Sequence, residues 1–529
     1  MRKKTPSFVV ELPIRVLPQD VRELTIRLDM HNYLANATLH EALRCVDLMR
    51  ESKAYQAARK LPKTTKEDRK HRQEVFEGLN KKYGFTSGDL QKFAEKCQKG
   101  SPVIARHTGS HDLQTTVKRV FKSVQRYIFG KAGRPWFKKR ERDARSVEGK
   151  ENACIILRAK DGVLVVKWMG LDLPLIVDPQ NDWQARALTE HRTKYVRILH
   201  RKIRGNLRWY AQIVQEGISP KREGRTVGEG VVGLDLGPST IAAVSDTDAI
   251  LETLCPTIEV PEKEIRRLQR KMDRSRRATN PEAFLPDGTY KKGAKIKVYS
   301  ESYLKLRTKK AEIERRLAAE RKRSHGELSN RILAQGATIK TENISVKGWQ
   351  RSWFGKSVGK RAPAKLMETL SRKVAAVPGG TVTKFSTRKT RLSQVDHTTG
   401  TYKKKPLSQR EHTFSDGRTV QRDLYTAFLA RFVNNDKLDI PQATDAWAGA
   451  EPLLGRALSK DENKDAKVKG FPLPYVIRKD GVGATCTPNR SRTVRDVADA
   501  VAAVQAVVRA AKNERLRTKN LEHAHHDSG

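Results

Sequence analysis

Three acids stand where a carboxylate is costly unless it has work to do. Asp235 is the single charge in Gly230-Val-Val-Gly-Leu-Asp-Leu-Gly-Pro-Ser-Thr-Ile-Ala-Ala-Val244, an apolar strand followed by a Gly-Pro turn and a second apolar strand. Burying an acid in such a run is unfavourable unless it is paired or bound to metal. Gly237, just past it, removes a side chain and suggests close approach of a substrate backbone. Glu342 ends the strand that follows Gly336, and Asp423 opens an apolar helix in Gln421-Arg-Asp-Leu-Tyr-Thr-Ala-Phe-Leu-Ala430. Acids of this kind, if they converge, suit phosphodiester hydrolysis by two divalent ions about 3.5–4 Å apart. Mg²⁺, or Mn²⁺ in its place, fits an all-oxygen site.

The charge of the chain points to the substrate. Its 106 Lys and Arg against 60 Asp and Glu leave 106 − 60 = +46 over 529 residues. Self-repulsion at that level calls for a polyanionic partner. Arg266, Arg267, Arg270, Lys271, Arg274, Arg276 and Arg277 would ring a single helix, which phosphates would have to neutralise. Arg315, Arg316, Arg321, Lys322 and Arg323 form a second cluster closer to ordinary surface. Trp349, Trp353 and Phe354 alternate with Lys347, Arg351 and Lys356, a pattern that serves base stacking or core packing equally well. No apolar run reaches the ~18 residues of a membrane span, and the N-terminus has no signal-peptide core, so a soluble protein of the prokaryotic cytosol or nucleoid is expected. The five scattered cysteines, Cys45, Cys97, Cys154, Cys255 and Cys486, make neither a disulfide framework nor a CxxC site.

The segments around these residues predict a multidomain α/β protein: an N-terminal β-barrel with a helical insertion, then an RNase H-like nuclease domain. The hairpin carrying Asp235 matches the opening of an RNase H-like fold. Strand 6–16 gives way at Val21 to helical spacing in Leu24, Leu28, Ala35, Leu39, Leu43 and Val46. Leu113, Val117, Phe121, Val124 and Ile128 mark a second amphipathic helix. Residues 153–215 read as β, with hairpins at Asp161-Gly162 and Arg204-Gly205-Asn206. A charged helical segment, 262–334, is broken by Pro281, Pro286, Asp287-Gly288 and Gly293. The domains expected are 1–20 and 131–228 for the barrel, 21–130 for the insertion, and 229–392 with 419–434 for the nuclease. Beyond them, 435–529 reads as a partly disordered extension with one helix near 494–513, whose removal should cost less than a break between 230 and 425.

In order and spacing, Gly233-Leu-Asp-Leu-Gly-Pro-Ser-Thr240, Lys340-Thr-Glu-Asn343 and Arg422-Asp-Leu-Tyr-Thr-Ala427 resemble the three RuvC segments of TnpB, the transposon-encoded RNA-guided nuclease, and of the compact type V CRISPR effectors. The basic run Ile265–Arg277, the stretch Gly130-Lys-Ala-Gly-Arg-Pro-Trp-Phe-Lys138 and Leu392-Ser-Gln394 extend the resemblance over about 6–430. It implies an RNA-guided DNA endonuclease with one RuvC site, in which Asp235, Glu342 and Asp423 hold the metal ions. It also implies that the Arg266–Arg277 helix lies against a guide–target heteroduplex, and that guide RNA and target double-stranded DNA are the partners. One departure falls in 393–418, where the family carries a four-cysteine zinc ribbon. Asp396, Thr399, Thr413 and Asp416 occupy those positions, so no structural zinc is expected. His397 and His412 are the nearby ligand-type side chains. The alternatives are a guided DNA-binding protein with weak or no cleavage, which the lost cysteines favour, and an unguided transposase of the same fold.

Overall fold

The computed structural model describes residues 5–138, 146–150, 153–222, 224–296, 298–406 and 409–462, which form two compact units divided at residue 223. The helix expected at 494–513 lies outside the described residues.

In the first unit β1 (Ser7–Pro13) leads into six helices between Pro18 and Ile128, after which come β2 (Ser146–Glu148), β3 (Ile155–Lys160), β4 (Val163–Trp168), β5 (Leu171–Pro174), β6 (Thr193–Ile203) and β7 (Asn206–Glu216). The strands make two antiparallel sheets, ordered β1-β7-β6-β2 and β3-β4-β5. Asp161 and Gly162 both take positive φ between β3 and β4, and so do Arg204 and Gly205 between β6 and β7, the two-residue turns that the sequence signals. The sheets meet where Ile14 bridges Leu175, and they share one core containing Val10, Leu12, Val166, Trp168, Ile198 and Trp209. The described strands thus form two sheets around a common core where a barrel was expected. The helical insertion has its own core, in which the expected Leu39, Leu43, Val46, Leu113, Val117 and Val124 are all buried.

The second unit is built on β8 (Val231–Leu236), β9 (Thr240–Val244), β10 (Ala249–Thr253), β11 (Thr338–Glu342) and β12 (Thr381–Phe385), in the spatial order β10-β9-β8-β11-β12. β8, β9 and β10 form an antiparallel meander, while β11 runs parallel to both β8 and β12. Val232, Leu234, Leu236 and Ile339 point to one face, where Leu328, Ile332 and Leu333 of the Glu301–Gln335 helix and Leu366 and Leu370 of the Pro363–Val374 helix cover them. Ala242 and Val244 point to the other face, beneath Leu424, Ala427 and Phe428 of the Arg422–Ala430 helix. Sheet strands covered on both faces read as near-continuous apolar runs, which is why the 231–244 text stands out. Gly233 is the point of closest approach: a Cβ there would collide with the Ala427 carbonyl oxygen and lie 3.0 Å from the Arg431 backbone nitrogen. The space beside Gly237 has a different use from the one expected, since Thr240 of its own hairpin fills it, with Oγ1 2.9 Å from where a Cβ would be.

The C-terminal boundary also moves. Ala443 of the Ile440–Asp445 helix, and Trp447, Ala450, Leu453, Leu454 and Ala457 of the Trp447–Glu462 helix, are buried in the same core as Leu424, Phe428 and Ala249. A boundary at residue 434 would cut through that core. The stretch looks polar in composition because its apolar residues are small and spaced for one helix face. The 393–418 region forms a short hairpin of β13 (Glu411–Thr413) and β14 (Thr419–Gln421), with an isolated bridge between Val395 and Tyr402.

Candidate active site

The parallel register pairs Thr341 with Leu234, so one further step along each strand sets Glu342 beside Asp235 at the carboxyl ends of β11 and β8. Crevices at the carboxyl ends of parallel strands are where such sheets present ligand-binding groups. Asp423 lies in the first turn of the helix that crosses Gly233, a turn capped by the Gln421 side chain, which accepts from the Leu424 N–H at 2.6 Å. An acid is stabilised at that end of a helix.

All three carboxylates are half-buried, and they feel one another. Burial, then the like charges of Asp423 and Glu342, push the Asp235 carboxyl well above the ordinary carboxylate range, while the Arg422 and Arg410 guanidiniums oppose the shift. Burial also raises Glu342, against a hydrogen bond from the Thr387 hydroxyl. Thr387 opens the short helix after β12, whose Phe385 pairs with Glu342. Asp423 has two cationic neighbours, Arg422 at 3.5 Å and Arg410 at 3.8 Å. Arg422 is itself held by the Gln409 carbonyl at 2.7 Å. Neither arginine was singled out from the sequence, although one adjoins Asp423 in the chain. Among the described residues no three His, Cys, Asp or Glu side chains stand together at metal-holding spacing. The acids are within electrostatic reach of one another without being drawn up to ligand distance. Their donor chemistry, oxygen only and mutually repelling, fits a hard divalent cation.

The basic helix is present as Glu262–Thr279, with Leu268 its one buried residue. Arg266, Arg267, Arg270, Lys271, Arg274 and Arg277 are exposed, whereas Arg276 is half-buried and paired with Asp273 at 2.7 Å. Arg266 pairs with Glu262 at 3.1 Å. Across a groove from this helix lie Tyr303, Arg307 and Lys310. In the second cluster, acids of the same helix take up the charge: Arg315 and Arg316 share Glu312, and Arg323 is held by Glu320 and Glu327. Trp349 is half-buried against the Val232 and Leu234 core, so the free indole of this region is that of Trp353, 99% exposed.

At the ribbon positions Asp396 ties two turns together, accepting from the backbone N–H groups of Thr398 at 2.9 Å and Ser415 at 3.2 Å. Asp416 pairs with Arg418, and the Thr399 hydroxyl bonds that of Thr401. His397 and His412 are buried among Phe414, Tyr425 and, for His397, Trp447. His397 Nδ1 lies 2.8 Å from the Tyr425 hydroxyl, and burial together with Lys405 lowers His412 to about 4. Both histidines are core residues here.

No family model matches the chain, and no curated protein does. Among solved structures it is similar in fold to Cas12f1 in a complex with sgRNA and target DNA, at 12% identity and a TM-score of 0.37, over 83% of this chain and 100% of that one. A CRISPR-Cas12f ternary complex is similar at 12% identity and a TM-score of 0.26, over 80% of this chain and 83% of the other. Cas12i(E894A) with crRNA and dsDNA is similar at 10% identity and 0.27, over 72% and 57%. Among the described residues no helix is long and apolar enough to cross a membrane.

Proposed function

We propose that the chain is an RNA-guided DNA endonuclease with one RuvC-type site. The observation that carries this reading is the meeting of Asp235 and Glu342 at the ends of neighbouring parallel strands, with Asp423 delivered above them by a helix seated on Gly233. The strand order β10-β9-β8-β11-β12, a meander continued by two parallel strands, supports reading this unit as RNase H-like. A divalent cation bound by the three carboxylates would supply Lewis-acid chemistry to phosphodiester hydrolysis. The chain's own contribution is to bring the carboxylates together, with Arg422 and Arg410 opposing the burial and mutual repulsion that raise Asp235. The Glu262–Thr279 helix grips backbone phosphates, and specificity comes from base pairing by guide RNA with target DNA, the kinds of partner named for the Cas12f1 and Cas12i complexes.

The test is plasmid cleavage by the purified protein with its RNA in Mg²⁺, beside Asp235→Asn, Glu342→Gln and Asp423→Asn. Each variant should bind guided target and fail to cut. A variant cutting at near the wild-type rate would remove that acid from the site. One observation favours the second reading, guided binding with weak cleavage: Arg410 and Arg422 occupy the flank of Asp423 where a cation would have to compete.

A further inference from the structure

The segment between β11 and the Pro363–Val374 helix is pinned at both ends. At the near end Trp349 packs against the core beneath the sheet. At the far end Val358 is buried, Ser357 Oγ donates to the Pro238 carbonyl at 3.1 Å, and the Arg361 carbonyl meets His325 Nε2 at 2.9 Å. Pro238 belongs to the turn that leaves β8 just after Asp235, so the anchor ties this segment to the carboxyl end of the strand that carries Asp235. Between the anchors Trp353 displays its whole indole, 99% exposed, with Phe354 42% exposed beside it. Lys347, Arg351 and Lys356, all exposed, flank the pair. A pinned loop that offers an aromatic face among cations, and buries none of it, matches what single-stranded nucleic acid needs: a platform for a base and charges for its phosphates.

We propose that Trp353 stacks on an unpaired base of the DNA strand presented to Asp235, Glu342 and Asp423, and so sets which phosphate lies over the acids. This rests on the nuclease reading above and adds to it a positioning residue. Stacking on an aromatic ring tolerates any base, so the platform would fix distance along the strand while leaving sequence choice to the guide.

The experiment uses the full chain with its RNA and a guided target carrying 2-aminopurine at successive positions of the displaced strand. Wild type should quench the fluorophore strongly at one position. Trp353→Ala should abolish that quench and slow cleavage about 5- to 150-fold, the range expected for losing one stacked base, and should scatter the cut positions. Trp353→Phe should keep most of the quench. Because Trp353 is exposed, the alanine variant should unfold with the wild type, which a thermal melt checks. An unchanged quench profile with unchanged cut positions in Trp353→Ala, while wild type cuts, would overturn the platform and leave the nuclease standing. A Trp353-dependent quench in a wild-type protein that never cuts would uphold the platform and remove the nuclease.

Discussion

Gly233 of β8 lies against the backbone of Ala427, so closely that a single methyl group on Gly233 would strike the Ala427 carbonyl oxygen. Asp235 is two residues along the strand from one partner, and Asp423 is one helical turn before the other. The contact therefore sets the height of one acid above another. Because the obstructing atom is backbone, no rotamer change relieves it. Gly233→Ala should destabilise the second unit by about 1–3 kcal/mol or more and, by shifting Asp423, reduce cleavage about 10²-fold. Thermal unfolding and single-turnover cleavage measure the two effects. An alanine variant that melts and cuts like wild type would show that the helix has room to lift.

The raised Asp235 carboxyl has a thermodynamic signature. In the folded chain it holds its proton to higher pH than in the unfolded chain, so between those two values the folded state binds more protons. Stability should then fall as pH rises through that window, and divalent cation should restore it by compensating the charge. Asp235→Asn should melt above wild type at neutral pH in EDTA, with a shallower pH dependence and a smaller rise on adding Mg²⁺. A variant that melts lower than wild type and gains as much from Mg²⁺ would contradict the assignment.

Residues beyond 434 complete the core of the second unit. Trp447, 6% exposed, packs edge-on against Phe414, Tyr425 and Phe428. Trp447→Ala should cost about 3–5 kcal/mol, and a chain ended after residue 434 should be insoluble or lack a cooperative melt. A soluble, cooperatively melting product would return the boundary to 434.

The exposed cations of the Glu262–Thr279 helix should act on nucleic acid additively and without regard to sequence. Replacing Arg267, Arg270, Lys271 and Arg274 by Gln, one at a time, should each lower the slope of log affinity against log salt by up to about 0.7–0.9, with the guide's preference among targets unchanged. A substitution that altered target choice and left the slope unchanged would place that residue on base edges.

Much of this was legible in the chain itself, for identifiable reasons. Asp235 showed because one charge in an apolar strand is rare, and Asp161-Gly162 because positive φ restricts the residues that can turn there. The breakers between 281 and 293 separated the Glu262–Thr279 and Glu301–Gln335 helices. What stayed hidden depends on partners distant in sequence. Gly233 reads as an ordinary glycine until a helix nearly 200 residues later is laid on it. Trp349 and Trp353 are indistinguishable by composition, and only the fold puts one against the core and the other in solvent. Arg410 reaches Asp423 across a hairpin, and the small residues of Trp447–Glu462 look like a tail until Ala249 and Phe428 are placed beside them.

Cutting of DNA at these acids where an RNA directs it, as proposed above, is tested whole by one measurement. The protein is purified with its RNA, the RNA's guide portion is exchanged for a second sequence, and cleavage of a plasmid bearing both targets is mapped in Mg²⁺. The cut should move with the guide and disappear in Asp235→Asn. Cutting at an unchanged position, or cutting that persists after the RNA is digested away, would contradict it.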